Sequence, residues 1–177
     1  MKFTLKNGEA VEILPYSAKA TPAKFRKYIT KIVKERPEVF LLVDRVPTMQ
    51  EEREWINSIK SAVKKKTGVS LVAWKGKEII GEAEGLRGKW RDEDKVCVGI
   101  SVGSKYRGKG LGKKLLSEII KLVKKRLRPK IIYLTAIIDN AAAVALYKKV
   151  GFRENGRLAK WQKVRGKYRD YIYMRLK

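Results

Sequence analysis

The run Val98-Gly-Ile-Ser-Val102, followed after three residues by Tyr106-Arg-Gly-Lys-Gly-Leu-Gly-Lys-Lys-Leu-Leu116, decides how this chain is read. A β-branched strand ends, glycines stand at 108, 110 and 112, and an apolar helical period begins at once. Glycines let main-chain N–H groups approach a ligand with no side chain in the way. The start of the following helix adds the positive end of its dipole. Strand, glycine turn and helix in that order make an anion site, for which phosphate or pyrophosphate is the natural guest.

Three glycine-loop patterns compete for this turn. The nucleoside-triphosphate loop nearly fits, with Gly103, four residues, then Gly108-Lys109, but Gly110 stands where a Ser or Thr must hold magnesium. The dinucleotide loop needs G-x-G-x-x-G, whereas the turn reads G-x-G-x-G with no parallel βαβ repeat after it. The third pattern, Arg107-x-x-Gly110-x-Gly112, fits in full and resembles the pyrophosphate loop of the GNAT N-acetyltransferases. A second stretch, Asp139-Asn140-Ala-Ala-Ala-Val-Ala-Leu-Tyr147-Lys-Lys-Val-Gly151-Phe152, is similar to that family's Asn-to-Tyr helix ending in Gly-Phe. The resemblance is clear from Val96 to Met174 and looser from Val69 to Gly85.

Composition sets the bounds. A chain of 177 residues, 44% hydrophobic, reads as one domain, residues 1–177, with one substantial core. No apolar run of about 18 residues occurs, so no membrane span is expected. Met1 to Ala10 mixes charged and apolar residues and does not read as a signal peptide. The one cysteine, Cys97, excludes an internal disulfide framework, and a cytoplasmic location is expected. With no histidine and a single cysteine, a catalytic or structural metal site is not expected. A net charge of +25 has two readings. One is solubility through a lysine-rich surface. The other is attraction to polyanions, through weak nucleic-acid contact or an acidic or nucleic-acid-associated protein. Between Lys105 and Lys130 Glu118 is the one acid, so part of this field also suits a phosphorylated cofactor.

Periodicity places the elements. Phe3 to Leu14 reads as a strand ended by Pro15. Thr21-Pro22 opens a helix running to about Arg36, and Val39 to Val46 reads as an apolar, lid-like loop. Thr48-Met-Gln-Glu51 is a capping box before a helix to about Lys66, with Trp55, Ile56, Ile59 and Val63 on one face. Strands Val69–Trp74 and Glu78–Leu86 form a hairpin around Gly76, and Val96–Val102 is the next strand. Leu111–Leu127 is a helix stopped by Pro129, Ile131–Ile138 a strand, and Asn140–Val150 a short helix closed by Gly151. Phe152–Val164 and Lys167–Leu176 form a last hairpin around Arg165-Gly166.

This order is an α+β chain with a mixed sheet of about seven strands. The resemblance implies a three-layer, α/β/α-like acyl-CoA N-acyltransferase fold, mostly antiparallel, whose fourth and fifth strands splay. It also implies acetyl-CoA as co-substrate, its pantetheine entering the splay, and direct attack by a primary amine of a protein lysine, a protein N-terminus or a small molecule. The amides from Gly108 through Lys109, Gly110, Leu111 and Gly112 to Lys113 would hold the pyrophosphate, with Arg107 as an added contact. The main chain of Ile100, Ser101 and Val102 would pair with pantetheine, and an N–H near Ile100 would polarise the thioester. Gly99 fits a bulge that re-aims the strand.

Asn140 and Tyr147 are seven residues apart, which at about 100° per residue puts both on one helix face. By the resemblance Tyr147 is the general acid for departing CoA, while Asn140 serves as helix cap or cofactor contact. The base is least defined. Relatives place a glutamate on the strand read here as Val96–Val102, which has none, or at the position matching Thr135. Glu82 and Glu84 alternate onto one face of the neighbouring strand, and Glu82 is preferred. Cys97 reads as packing, Glu51, Glu52 and Glu54 as first-turn helix charges, and Trp161 and Tyr168 as residues near the acceptor mouth. A homodimer through the last strands is a further implication. The competing class is a basic domain that binds CoA or nucleic acid without transfer.

Overall fold

A computed structural model describes residues 1–16, 19–35, 45–164 and 166–177. Along the chain lie β1 (Lys2–Thr4), β2 (Ala10–Pro15), α1 (Pro22–Glu35), α2 (Met49–Lys64), β3 (Gly68–Lys75), β4 (Glu78–Arg87), β5 (Lys95–Val102), α3 (Leu111–Leu122), β6 (Ile131–Ile137), α4 (Ala141–Val150), β7 (Phe152–Val164) and β8 (Lys167–Leu176). Local chemistry sets several boundaries. The Thr21 hydroxyl accepts from the Lys24 amide at the start of α1, and Thr48 and Glu51 form the full capping box of α2. Gly151 ends α4 at φ 110°, a left-handed conformation that a Cβ would strain. A π-helical turn, Val123–Leu127, continues α3 until Arg128 and Pro129 stop it.

The sheet runs β1-β2-β3-β4-β5-β6-β8-β7. It has eight strands instead of seven because Phe3–Leu14 folds back on itself: Gly8, at φ 83°, and a bond from the Leu5 amide to the Glu9 carbonyl turn the chain between β1 and β2. Helices α1 and α2 cover one face, and α3 and α4 the other. Phe25, Tyr28, Ile29 and Ile32 of α1 pack on Val72, Trp74 and Ile79. Leu111, Leu115, Leu116 and Ile119 of α3, all fully buried, pack on Leu71, Ala73, Val96 and Val98. Each such aliphatic side chain contributes about 1.5–3 kcal/mol on burial. Gly81 and Gly85 let α3 come close: a Cβ on Gly85 would lie 2.5 Å from Val123 Cγ2.

β5 and β6 pair in parallel through three residues only, Lys95 with Ile131, Val96 with Ile132 and Cys97 with Tyr133. Beyond Cys97, β5 stays paired with β4 as far as Val102, and β6 stays paired with β8 as far as Ile137. The two strands therefore part, as expected for this fold. The bulge expected at Gly99 is absent, since the β4–β5 register runs unbroken from Val96 to Val102. A Cβ on Gly99 would meet Glu84 Oε1 at 3.5 Å, an ordinary contact, so neither a bulge nor crowding explains this glycine. The irregularities fall elsewhere, at Ala73/Trp74 and in β7. Arg36, Val39 to Asp44 and Arg165, named in the expectations above, lie outside the described residues.

Candidate active site

The glycine turn closes β5 and starts α3. Gly108 and Gly110 sit at φ 73° and 89°, and a Cβ on Gly108 would meet nothing within 4 Å, so the turn is open on that side. No side chain caps α3. The amides of Leu111, Gly112 and Lys113 lack helical partners by geometry, and the bond from the Lys114 amide to the Gly110 carbonyl is the helix's first. The Lys6 amide bonds the Lys109 carbonyl at 3.1 Å, so the β1–β2 turn braces the loop from outside. A Cβ on Gly112 would lie 3.2 Å from Leu146 Cδ2, which ties its bareness to α3–α4 packing. Arg107 turns away from the amides: its Nε donates to the Val102 carbonyl at 2.8 Å, and its guanidinium lies 4.0 Å from Glu35.

The two faces of the splay differ chemically. On the α3–α4 side, the side chains of Ile100 and Val102 lie beside Gly112. Tyr147 of α4 is buried among these residues, its ring 6.3 Å from that of Phe152. Burial, with a smaller push from nearby Cys97, holds its phenol up at about 12. Asn140 caps α4 by accepting from the Ala143 amide at 3.2 Å, which gives it the helix-cap role.

The α1–α2 side carries the acids. The Ser101 hydroxyl donates to Glu82 at 3.1 Å and lies 2.8 Å from the Tyr28 hydroxyl. Glu84 follows two residues after Glu82, with Oε2 buried and unpartnered among the described residues. Burial above all, and for Glu82 the neighbouring Glu84 charge, raises the proton affinity of both carboxyls. Glu52 joins them. It is only 3% exposed, and burial lifts it to about 7. Cys97 is pushed up to about 11 by the same cause, as befits a packed thiol. Across the opening, the Thr135 and Tyr171 hydroxyls meet at 2.9 Å, and the ring of Tyr173 lies 6.1 and 6.4 Å from those of Tyr171 and Tyr133.

Three expectations change here. Glu52 does not share the first-turn role of Glu51, which closes the capping box and pairs with Arg45. It points inward, and its place on the stripe of Ile56 and Ile59 was the available signal. Tyr28 carried the same signal, a hydroxyl on the apolar stripe of Phe25, Ile29 and Ile32. Tyr168 is exposed, and strand alternation places it with Ile172 and Met174, on the face opposite Tyr171, Tyr173 and the acids. Exposed Trp161 makes no ring contact with that cluster of tyrosines among the described residues.

The assembly is a slot with bare helix amides at its mouth, a phenol on one side and two proton-hungry carboxyls on the other. Comparison with known proteins is consistent with it. Residues 29–152 match the family model described as the Acetyltransferase (GNAT) family. The L-amino acid N-acetyltransferase AaaT of Escherichia coli is 38% identical over 76 residues, 43% of this chain and 47% of that protein. The N-alpha-acetyltransferase RimI of Mycobacterium tuberculosis is 30% identical over 129 residues, 73% of this chain and 75% of its own length. The structure of yncA, an acetyltransferase from Salmonella typhimurium with its cofactor acetyl-CoA, superposes with a TM-score of 0.79. That match covers 94% of this chain and 93% of the other at 22% identity, a likeness of fold. The chain belongs to the GNAT acetyltransferase family.

Proposed function

We propose that this chain is an acetyl-CoA-dependent N-acetyltransferase whose acceptor is a primary amine, in the first place the free N-terminus of a protein. The observation that carries this reading is the parting of β5 from β6 beyond Cys97, with Glu82 and Glu84 on the α1–α2 face of neighbouring β4 and buried Tyr147 on α4, which meets the start of α3 through Leu146 and Gly112. The amides of residues 108–113 suit the two phosphates of the co-substrate, and the freed edge of β5 at Ile100–Val102 suits the extended pantetheine. Glu82, with Glu84 beside it, takes a proton from the incoming ammonium. Its raised affinity brings it toward neutral pH, where a general base works best. A main-chain N–H near Ile100 faces the developing oxyanion. As the new C–N bond forms and the C–S bond breaks, Tyr147 O–H gives its proton to the sulfur, and the proton shed by the acylated nitrogen returns through water to the phenolate.

Two observations favour a protein N-terminus. RimI matches over most of both chains. The charge of +25 repels free polyamines and attracts an acidic or nucleic-acid-associated protein, while the buried carboxyls receive the amine locally. The test measures thiol release from acetyl-CoA with peptides bearing a free N-terminus, Nα-blocked lysine peptides, amino acids and spermidine. Turnover is expected with the free N-terminal peptides. CoA or RNA retention without thiol release for any amine would instead establish a non-catalytic binding domain.

A further inference from the structure

A second cation-lined feature lies outside the slot. Between α1 and the β3–β4 hairpin opens a cleft of about 430 Å³, walled by Lys24, Lys27 and Lys31 of α1 and by Lys75 and Lys77 of the hairpin. Its floor is the ring of Tyr28 and the side chain of Ile79. One carboxylate lines it, Glu78, which Lys31 engages. Lys75 pairs with Glu9, and Lys24 lies 5.3 Å from the Trp74 ring. Lys27 and Lys77 make no direct ion pair among the described residues, although the Lys27 charge helps lower the proton affinity of Glu78.

Helix stability does not account for this arrangement. Lys24, Lys27 and Lys31 recur at three- and four-residue intervals on one helix face, where like charges repel. Lys24 also stands in the first turn, where the dipole disfavours a cation and no acid is present. Five ammonium groups, and no arginine, surround one concavity. Lysine ammonium groups bind phosphate oxygens as compact point charges, and several around one concavity favour a multiply charged anion. The volume fits a small ligand.

We infer that the cleft between α1 and the β3–β4 hairpin binds a compact polyphosphate group, distinct from the one expected at the amides of residues 108–113. Those amides begin α3, and Lys75 of the cleft and Lys109 of the glycine turn share Glu9 and the ring of Tyr106 between the two places, so occupancy of one is tested in the presence of the other. Polyphosphate could come from a small molecule or a nucleic-acid backbone; the cleft's size assigns it to a small molecule.

The experiment titrates tripolyphosphate by calorimetry into the full chain saturated with CoA, at about 0.15 M salt. Saturable one-to-one binding is expected. Lys27→Ala with Lys77→Ala should weaken it at least tenfold. Lys124→Ala with Lys125→Ala, an equal charge loss on the π-helical turn, should weaken it less than threefold and keeps general charge effects apart. Absence of binding, equal loss in both double variants, or binding abolished by CoA would overturn the inference. So would cleft-dependent binding of a 12-nucleotide RNA or an acidic peptide with none of tripolyphosphate. Because CoA occupancy is confirmed separately before each titration, failure here is distinguishable from failure of the acetyltransferase reading.

Discussion

Tyr147 is buried, and no hydrogen bond to its hydroxyl is made among the described residues. Its ring packs and its oxygen supports no structural bond. Tyr147→Phe should therefore leave thermal stability within about 1 kcal/mol, since no internal hydrogen bond is lost. It should lower kcat by about 10²-fold or more if the proton goes to the leaving sulfur. Melting curves beside steady-state kinetics check both halves, and unchanged kcat would remove the phenol from the chemistry. Glu82 is the complementary case. Glu82→Gln keeps an acceptor for the Ser101 hydroxyl but cannot take a proton. A fall of about 10²–10³-fold in kcat/KM is expected, with loss of the rising limb of the pH–rate profile near neutrality. That limb exists because burial raises the carboxyl, so the active ionised form fills only as pH increases. Tyr147 was legible as a candidate through the family resemblance, and both glutamates through their alternation onto one strand face. Tyr28 and Glu52 were not singled out, because a polar residue on an apolar stripe gains meaning only when its neighbours in space are known.

At the scale of elements, the uncapped N-terminus of α3 and the glycines before it form one device. Gly110 sits at φ 89°, where a Cβ costs about 1 kcal/mol or more, and Lys6 and Phe3 approach to 3.8 Å from where that Cβ would be. Gly110→Ala should destabilise the fold by about that amount and raise KM for acetyl-CoA more than it changes kcat. Isothermal titration with CoA, read beside urea melts, separates the two effects. Gly85 serves packing instead. A Cβ there would overlap Val123 at 2.5 Å, so Gly85→Ala should cost about 1–3 kcal/mol by pushing α3 and its π-helical turn off β4. A melting temperature unchanged by that substitution would contradict the packing described here. Helix starts and stops were readable because caps and prolines act within a few residues. The turn that splits β1 from β2 was missed although Asn7-Gly8 marks it in the sequence, because the flanking strands are short and alternate only loosely.

For the whole molecule, three glutamates on one face, Glu52 and Glu82 buried and Glu84 partly so, oppose a surface of strong positive charge. Glu52 has its folded value near 7, against 4.5 for an ordinary glutamate. The fold thus favours its protonated form. Its stabilising contribution is complete below about pH 4.5 and is lost as pH rises through 7. Glu52→Gln should therefore gain stability relative to the parent between pH 5 and pH 8, on the order of 1–2 kcal/mol, read as the difference between paired denaturant titrations at each pH. A constant difference across that range would show that Glu52 stays ionised and hydrated in the fold.

The chain alone carried the two motifs that resemble the family, the α+β order of elements and the glycine turn before α3, because glycine placement, caps and apolar periodicity are short-range properties of consecutive residues. Only the tertiary structure decided that Arg107 braces β5, that β5 runs past Gly99 without a bulge, and that Glu52, Tyr28 and Ser101 join Glu82 in one cluster. Those outcomes depend on which strands lie side by side and which helix face covers them. Burial and charge coupling, which set proton affinity, arise only once residues distant in sequence exclude water together.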